Sequence, residues 1–416
     1  MFSFFRSYKD YTPLFPSDHP GAAKTGRRVY ILLLFAALVA SAVLNIVLGV
    51  KLRGRSPEPL DNYQNLIAMG DVIGTPAFPL PAHIPARTFQ GMDPVHTGTT
   101  VRWANTQPIV STDALNLLPQ TNPNEHAIVT TLYTDAYATA IATLGHSLNK
   151  VNSTAARLLL YLPDRVSPHA LCVATASGFM PRPISRIPPP NNGKGVHPRF
   201  LDQYSKLNLW TLDGAGGYAS VVYLDADTLV LRNFDELFGL PYSFAAVPDV
   251  YYDERGFVVS FNAGVLFLRP STTVFHAMLD EIATATYPMN EAEQAFLNHY
   301  YAAEAVRLPY AYNANLAIKI RQPALWTALL AREARIVHFT VIKPFLVTEE
   351  DGHTVIDMRH MEEHVQGRMR DQGGLFEEEL GIWLGAWRET RHTYSEAFAQ
   401  CSRAHPAAAV TTSAAA

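Results

Sequence analysis

From residue 126 onward, short apolar runs alternate with segments whose apolar residues recur at helical spacing. HAIVTTLYT (126–134) is rich in β-branched residues, DAYATAIATLGHSLNK (135–150) repeats Ala and Leu, and ARLLLYLPD (156–164) is a second strand-like run. A strand, a helix and a strand within about 40 residues indicate a βαβ unit with parallel strands. The pattern therefore predicts an α/β fold with an open mixed sheet flanked by helices.

The same alternation continues to residue 345. VVYL (221–224) is predicted to be a buried strand that ends at Asp225, and Asn290 is expected near the N-terminal cap of a helix. The remaining predicted elements are an amphipathic helix RFLDQYSKLNLWTL (199–212), a strand pair FVVSFNAGVLFLRP (257–270), the helices TTVFHAMLDEIATA (272–285) and EAEQAFLNHYYAA (291–303), and a last strand that runs into a loop, RIVHFTVIKPF (335–345).

The N-terminal third of the chain has a different pattern. Val29–Val50 carries no charge and, as a helix rising 1.5 Å per residue, is long enough to cross a ~30 Å hydrocarbon core. A cleaved signal peptide ending near Ala42 is the alternative. The basic residues before the span predict a cytosolic N-terminus. The predicted segments are a cytosolic tail 1–28, a signal anchor 29–50, a Pro-rich stem 51–124, an α/β domain 125–345, a helical extension 346–400 and a disordered tail 401–416.

Composition narrows the function classes. The net charge of −4 provides no basic field, so nucleic acid is not an expected partner. Two cysteines, Cys172 and Cys401, are too few for a cysteine metal site or a disulfide framework, and the sequence leaves open whether they pair. The oligomeric state is equally open.

Two carboxylates one residue apart, Asp225 and Asp227, follow the buried run VVYL. Like charges this close repel each other unless a cation lies between them, although a solvated turn also accommodates Asp. In open α/β sheets, ligands bind at the carboxyl ends of strands. The DADT motif therefore predicts a site for a divalent metal.

Two chemistries use an apolar strand followed by Asp-x-Asp. In a haloacid-dehalogenase-like phosphatase, Asp225 would be the nucleophile and Asp227 the acid/base. In a metal-bound nucleotide diphosphate site, both would hold Mn²⁺ or Mg²⁺. HFTVIKPF favours the second reading, because His338 adds a nitrogen ligand that suits Mn²⁺ and Lys343 can neutralise phosphate charge.

Five blocks in order make residues 126–345 resemble glycosyltransferase family 8, the family that contains glycogenin and bacterial galactosyltransferases. They are AIVTTLYTDAYATAIATLGHSL, YSKLNLW, LDADTLV, FNAGVLFLRPS, and EAEQAFLN followed by HFTVIKPF. The resemblance implies a GT-A fold and a UDP-sugar donor site. By resemblance, that site is formed by Thr131, Tyr133, Thr134, Tyr137, Lys206, Asp225, Ala226, Asp227, Asn262, Ala263, Asn290, Glu293, Gln294, His338 and Lys343.

The resemblance also implies roles for some of these residues. Asp225, Asp227 and His338 would hold Mn²⁺, with Mg²⁺ as the alternative, and Tyr137 would stack on the uracil. Asn262, Glu293 and Gln294 would contact the donor sugar. The catalytic residues would be Asp227, Lys343, Lys206 and Glu293, with Glu293 either a nucleophile or a positioning group.

The expected function is a Mn²⁺-dependent retaining transfer of a hexosyl or N-acetylhexosaminyl group from a UDP-sugar to a glycan or protein acceptor. With the anchor, this predicts a single-pass type II protein of the Golgi membrane; the endoplasmic reticulum and secretion after signal cleavage are the alternatives. The open functional alternatives are the phosphatase and a lumenal protein that binds UDP without catalysis.

Overall fold

The computed structural model describes residues 121–405 together with Leu115 and Leu118, apart from residues 215, 303, 350, 351, 356 and 357. For 346–349 and 352–355 it describes the backbone alone. The strands are β1 (His126–Leu132), β2 (Ala156–Tyr161), β3 (Met180–Pro183), β4 (Ser220–Leu224), β5 (Thr228–Val230), β6 (Phe244–Val250), β7 (Phe257–Leu268), β8 (Val306–Arg307), β9 (Ala314–Asn315), β10 (Ile336–His338), β11 (Leu346–Glu349) and β12 (Gly352–Val355).

The α-helices lie between and after these strands. They are α1 (Ala138–Lys150), α2 (Pro168–Thr175), α3 (Thr272–Ile282), α4 (Ala292–Tyr300), α5 (Ala317–Arg321), α6 (Pro323–Arg332), α7 (Met361–Arg368), α8 (Glu377–Thr393) and α9 (Ser395–Ala404). Side-chain caps begin two of them: the Ser167 hydroxyl accepts from the Ala170 amide of α2, and the Ser271 hydroxyl accepts from the Val274 amide of α3.

The main sheet has seven strands in the order β3-β2-β1-β4-β7-β6-β8. Strands β3, β2, β1 and β4 are parallel, whereas β7 runs antiparallel to both β4 and β6. β1, α1 and β2 form the predicted βαβ unit. The open mixed sheet flanked by helices is confirmed.

A smaller sheet brings distant residues to the end of β4. Its order is β5-β10-β9, with β10 antiparallel to β5 and parallel to β9. In this register His338 lies opposite Thr228 on one side and Asn315 on the other. Since β5 begins directly after Asp227, the pairing places His338 beside the two aspartates.

The core consists of two apolar layers, one on each face of the main sheet. Strand β1 contributes alternately: Ile128 and Leu132 belong to one cluster, while Ala127 and Val129 belong to the other. This alternation is the two-residue period of a strand that is buried on both faces. It explains why β1 reads as a nearly continuous apolar run.

Two predicted elements differ in form. The segment predicted as an amphipathic α-helix is a 3₁₀ helix, Gln203–Thr211, buried along most of its length, so it has no solvent face. The predicted strand pair at 257–270 is the single strand β7. The last predicted strand forms at Ile336–His338 and runs into a loop from Phe339, as expected.

The C-terminal region consists of a β-hairpin followed by helices α7, α8 and α9. Cys172 on α2 and Cys401 on α9 form a disulfide that joins positions 229 residues apart. Because α9 extends to Ala404, residues 401–404 are helical and are not part of an unstructured tail. The other predicted segment boundaries stay predictions.

One finding contradicts the prediction that the chain is a single-pass protein of the Golgi membrane. Among the residues that the structure describes, no helix combines the length and apolar character needed to cross a membrane. The segment 29–50, on which the prediction rested, lies outside the described residues, as does nearly all of the predicted stem 51–124.

Candidate functional site

A cavity of about 490 Å³ opens at the carboxyl ends of β1 and β4. This volume falls in the range of roughly 300–1,000 Å³ that small-molecule sites occupy. Strand β1 leads into it through Thr131 and Thr134, and β4 leads into it through Asp225. Its position agrees with the rule that ligands bind outside the carboxyl ends of strands in open α/β sheets.

Asp225, Asp227 and His338 converge on the floor of the cavity. Each offers one ligand atom, and the three atoms lie within 4.8 Å of one another. The His338 Nε2 atom is 3.2 Å from Asp227 Oδ1 and 3.9 Å from Asp225 Oδ2. Asp225 is also fixed by the Tyr223 hydroxyl, which donates to its Oδ1 at 2.5 Å.

Asn313 fixes the tautomer of His338 and thereby which ring nitrogen is left without a proton. The Asn313 Nδ2 donates to Asn262 Oδ1 at 2.9 Å, so its Oδ1 is the atom that lies 3.0 Å from His338 Nδ1. That oxygen can only accept, and Nδ1 therefore carries the proton. Nε2 is left to act as a ligand, the arrangement that second-shell groups impose at metal sites.

These residues fit a divalent cation. Two carboxylates and an imidazole nitrogen are a donor set for Mn²⁺ or Mg²⁺, and imidazole shifts the preference toward Mn²⁺. The buried Asp227 and His338 are on the protein side of the cluster, whereas Asp225 is partly exposed toward the cavity. The cluster is therefore open to the cavity on its Asp225 side.

Lys343 reaches the same cluster from the loop after β10. Its Nζ forms an ion pair with Asp227 Oδ2 and donates to the Phe339 carbonyl at 2.7 Å. Burial acts to raise the pKa of Asp227, but the Lys343 ammonium outweighs it and holds that pKa below its usual value. The carboxylate is therefore ionised at neutral pH.

Lys206 belongs to a second cluster of charged residues, under the opposite side of the cavity. Its side chain is buried, with 1% of the residue exposed, and its Nζ lies 2.8 Å from Glu293 Oε1 and 3.2 Å from Asp225 Oδ1. Burial acts to lower the pKa of Lys206, but the two carboxylates outweigh it and raise that pKa above its usual value. The pair Lys206–Glu293 is thus a buried ion pair that also fixes Asp225.

Asp249 connects the amide side chains on the sugar side of the predicted site. Its Oδ1 accepts from Asn262 Nδ2 at 3.2 Å and from Asn315 Nδ2 at 3.1 Å, and its Oδ2 accepts from Gln294 Nε2 at 3.0 Å. The Gln294 Oε1 in turn accepts from the Ala263 amide at 2.9 Å. Burial raises the pKa of Asp249.

Every residue that the sequence predicts for the donor site lines this one cavity. They are Thr131, Tyr133, Thr134, Tyr137, Lys206, Asp225, Ala226, Asp227, Asn262, Ala263, Asn290, Glu293, Gln294, His338 and Lys343. The structure brings these residues together, and their individual roles stay predictions. Asn290 lies in a 3₁₀ turn, Met289–Glu291, ahead of α4 and supplies no side-chain cap to that helix.

Other lining residues were not predicted. They are Arg199, Phe200, Asp202, Gln203, Asp249, Val250, Tyr251, Tyr252, Arg255, Glu291, Asn315, Ala317, Thr340 and Val341. Asp249 interrupts the apolar strand FAAVPDV, and Asn313 and Asn315 alternate with alanine in YNANL. For Asp249, Asn313 and Asn315, the only sign in the sequence was a polar residue standing alone in an otherwise apolar run.

The chain is similar to several known glycosyltransferases. Residues 197–347 match the family model described as glycosyl transferase family 8. The chain is 34% identical over 176 residues to inositol phosphorylceramide glucuronosyltransferase 1 of Arabidopsis thaliana, covering 42% of this chain and 30% of that protein. It is 29% identical over 238 residues to galactinol synthase 1 of Solanum lycopersicum, covering 52% and 72%.

Glycogenin of Neurospora crassa is 29% identical over 192 residues, covering 45% of this chain and 27% of that protein. The chain thus spans less than a third of the length of the glucuronosyltransferase and of glycogenin. Among solved structures, it is similar to the galactosyltransferase LgtC with donor and acceptor sugar analogues, at 18% identity and a TM-score of 0.41, covering 64% of this chain and 99% of that one. The match over residues 197–347, together with these relatives, supports a glycogenin-like glycosyltransferase of family 8.

Proposed function

We propose that this chain transfers a hexosyl or N-acetylhexosaminyl group from a UDP-sugar to a hydroxyl acceptor, with retention of configuration and with Mn²⁺ as the preferred cation. The observation that carries the proposal is the convergence of Asp225, Asp227 and His338 beside Lys343 on the floor of one cavity. A divalent cation bound there supplies positive charge to a nucleotide diphosphate.

Lys343 is the residue proposed to stabilise the leaving group. In the present structure its ammonium is paired with Asp227. A cation held by Asp227 would weaken that pairing and would leave the Lys343 ammonium able to pair with phosphate oxygens instead. It would then neutralise the negative charge that builds up on UDP as the glycosidic bond breaks.

The nucleoside is proposed to bind at the β1 end of the cavity. Thr131, Tyr133, Thr134 and Tyr137 follow one another along β1 and the turn after it, and all four line the cavity. The Thr134 hydroxyl accepts from the Ala136 amide at 3.2 Å, which fixes the turn that carries Tyr137. The Tyr137 ring, the expected stacking partner for uracil, rests edge-on against Phe345.

The donor sugar is proposed to lie on the opposite side, near Asn262, Glu293 and Gln294. Asp249 holds the amides of Asn262 and Gln294 and leaves each with a defined orientation. Glu293 is occupied by the buried Lys206 ammonium. This pairing favours a positioning role for Glu293, with the departing UDP accepting the proton of the acceptor hydroxyl and no protein nucleophile.

The relatives suggest which donors to test. Their names specify glucuronosyl transfer for one protein and galactinol synthesis for another. A panel of UDP-galactose, UDP-glucose and UDP-N-acetylglucosamine therefore samples the proposed donor class, and UDP-glucuronate adds the sugar in the name of the first relative. The acceptor stays general, as any hydroxyl-bearing glycan or protein.

The experiment is release of UDP from each donor, with and without Mn²⁺ or Mg²⁺, by the wild-type protein and by Asp227→Asn. Asp164→Asn is the matched control, because that carboxylate is exposed and makes only a long ion pair with its neighbour Arg165. The proposal predicts cation-dependent release from at least one donor, retained in Asp164→Asn and lost in Asp227→Asn.

Other outcomes would point to the two alternatives. UDP binding with no turnover of any donor or acceptor would support a binding protein without catalysis. Cation-dependent hydrolysis of simple phosphate esters, with no UDP binding, would support the phosphatase. No contact in the described cavity favours either of these over the transferase.

A further inference from the structure

A series of aromatic side chains leads from the cavity into the C-terminal helices. The Tyr137 ring contacts Phe345 with centroids 5.4 Å apart, and Phe345 contacts Trp383 on α8 at 5.9 Å. Trp383 then stacks on Trp387 at 6.2 Å, and Trp387 on Phe398 of α9 at 6.2 Å. We call these five residues the aromatic series.

Phe345 is the member of the aromatic series that connects the cavity-lining Tyr137 to α8. It is 1% exposed and lies two residues after Lys343, in the loop that leaves β10. The start of this loop is fastened by the Phe339 amide, which donates to the Asp227 carbonyl, and by the Thr340 hydroxyl, which donates to Asn315. Helix α8 supports the other end of the loop, where the Phe345 ring contacts Trp383.

A buried polar contact links α8 to a second wall of the cavity. The Glu379 carboxylate is fully buried, and its Oε1 accepts from Trp326 Nε1 at 2.6 Å and from Lys319 Nζ at 2.7 Å. Lys319 belongs to α5, which begins at the cavity-lining Ala317. Helix α8 is thus attached both to the Lys343 loop and to α5.

Covalent and polar contacts fasten the same helices to the β1 side. The disulfide Cys172–Cys401 joins α9 to α2. The Glu389 carboxylate of α8 accepts from Lys150 of α1 at 2.6 Å and lies 3.2 Å from His146 Nε2. These anchors leave α8 little freedom to move away from the loop that it supports.

We propose that helices α8 and α9, which lie outside the residues that match the family, position Lys343 and Tyr137 through the Trp383–Phe345 contact and so form a wall that supports the donor site from behind its lining residues. This inference rests on the proposed function. Trp383 is a positioning residue, since it touches Phe345 and not the cavity. The family match ends at residue 347, so the wall belongs to a segment that the match does not cover.

The test begins with hydrogen exchange of the full-length protein, read on a peptide covering 339–345. Trp383→Leu should speed its exchange by roughly tenfold or more, and Trp383→Phe should restore most of the protection, because the ring contact survives. The control is Phe238→Leu: Phe238 lies in the same apolar layer but stacks on His126. Unchanged exchange in Trp383→Leu, or an equal change in Phe238→Leu, would overturn the proposal.

Kinetics provide the second readout, at a temperature at which all variants stay folded. Trp383→Leu should lower kcat for UDP release by roughly 10-fold to 100-fold, the usual penalty for a small misplacement of a catalytic group. In a Lys343→Ala background, the same substitution should cause little further loss of kcat. Fully additive losses would show that Trp383 does not act through Lys343.

The two readouts separate the two hypotheses. If the wild-type protein releases no UDP, the proposed function fails, and hydrogen exchange still decides whether α8 fixes the loop. If the wild-type protein is active and Trp383→Leu behaves like Phe238→Leu in both readouts, the positioning role fails and the proposed function stands.

Discussion

Gly264 packs directly against the ring of His338. A Cβ atom at position 264 would lie 2.2 Å from His338 Cε1 and 2.7 Å from its Nδ1. The same glycine accepts the Asp225 amide through its carbonyl at 2.7 Å. A single residue without a side chain therefore lets the histidine and the aspartate strand approach each other at the candidate metal site.

Gly264→Ala should weaken Mn²⁺ binding because the added methyl group must displace the His338 ring. Loss of a correctly placed ligand or of its support typically costs roughly 10-fold to 100-fold in metal affinity. Titration calorimetry with Mn²⁺ and UDP measures this loss. Gly367→Ala on α7, where a Cβ meets no atom within 4 Å, is the control; equal affinities in the two variants would contradict the packing argument.

Asn313→Ala should weaken the same cation without touching a ligand. The substitution removes the oxygen that holds His338 Nδ1, so the ring is free to take the tautomer in which Nε2 carries the proton. We expect a loss of roughly 10-fold or more in Mn²⁺ affinity, with the fold intact by circular dichroism. Asn233→Ala, which removes bonds to Val151 and Asp235 away from the cavity, should bind Mn²⁺ as the wild type does.

Parts of the site that are contiguous in sequence were predictable. Asp225 and Asp227 follow a buried strand, and their charges required an explanation that a metal supplies. His338 and Lys343 lie at the end of another apolar run, so the same strand-end argument applies to them. The resemblance supplied the remaining lining residues, such as Gln294 and Asn262, and the structure places them in the same cavity.

Asp249 and Asn313 were not predictable as site residues. Each is a single polar residue in an apolar run, and its partners are far away in sequence: Asp249 bonds Gln294 and Asn315, and Asn313 bonds His338. Such contacts arise from the order of strands in the two sheets, which local patterns do not specify. The C-terminal wall was missed for the same reason.

Glu304 provides a prediction about stability against pH. Burial raises the pKa of Glu304 from its ordinary value of 4.5 to about 7. The unfolded chain therefore loses this proton at lower pH than the folded protein does. Between those two pKa values the folded state binds more protons, so the free energy of unfolding falls as pH rises and levels off above about pH 7.

Glu304→Gln should remove this fall in the free energy of unfolding at higher pH. We expect the variant to be more stable than the wild type at pH 8 by roughly 1 kcal/mol, after allowance for solvent screening, and the difference to shrink toward pH 4.5. Urea unfolding at several pH values measures it. The exposed Glu333→Gln is the control; a stability difference that does not vary with pH would argue against burial as the cause.

The disulfide should contribute substantially to stability. Cys172 and Cys401 close a long loop. Removal of a native disulfide typically lowers the free energy of unfolding by roughly 2–5 kcal/mol, mainly because the unfolded chain becomes less constrained. The double variant Cys172→Ser and Cys401→Ser should unfold at lower urea concentration than the oxidised wild type. A reducing agent should lower the wild-type midpoint to the same value and leave the variant unchanged; unfolding midpoints that do not respond to either treatment would speak against the bond.

The fold was predictable where the apolar residues followed a single pattern, either that of a strand or that of a helix. The β-branched run of β1, the Ala and Leu spacing of α1 and the apolar run of β2 all formed as expected. The prediction was wrong for 199–212, because Lys206 and Asn208 read as a polar face although both are buried by specific partners. It was wrong for the strand pair at 257–270, where Asn262 and Gly264 both serve the site within the one continuous strand β7.

The most direct test of the central claim is a crystal structure of the wild-type protein with Mn²⁺ and UDP, using anomalous scattering to locate the manganese. The account predicts one anomalous peak bonded to Asp225, Asp227 and His338 Nε2, with the UDP diphosphate completing the coordination and Lys343 turned from Asp227 toward phosphate. Bound UDP with no manganese at these three residues, or manganese bound elsewhere, would contradict it.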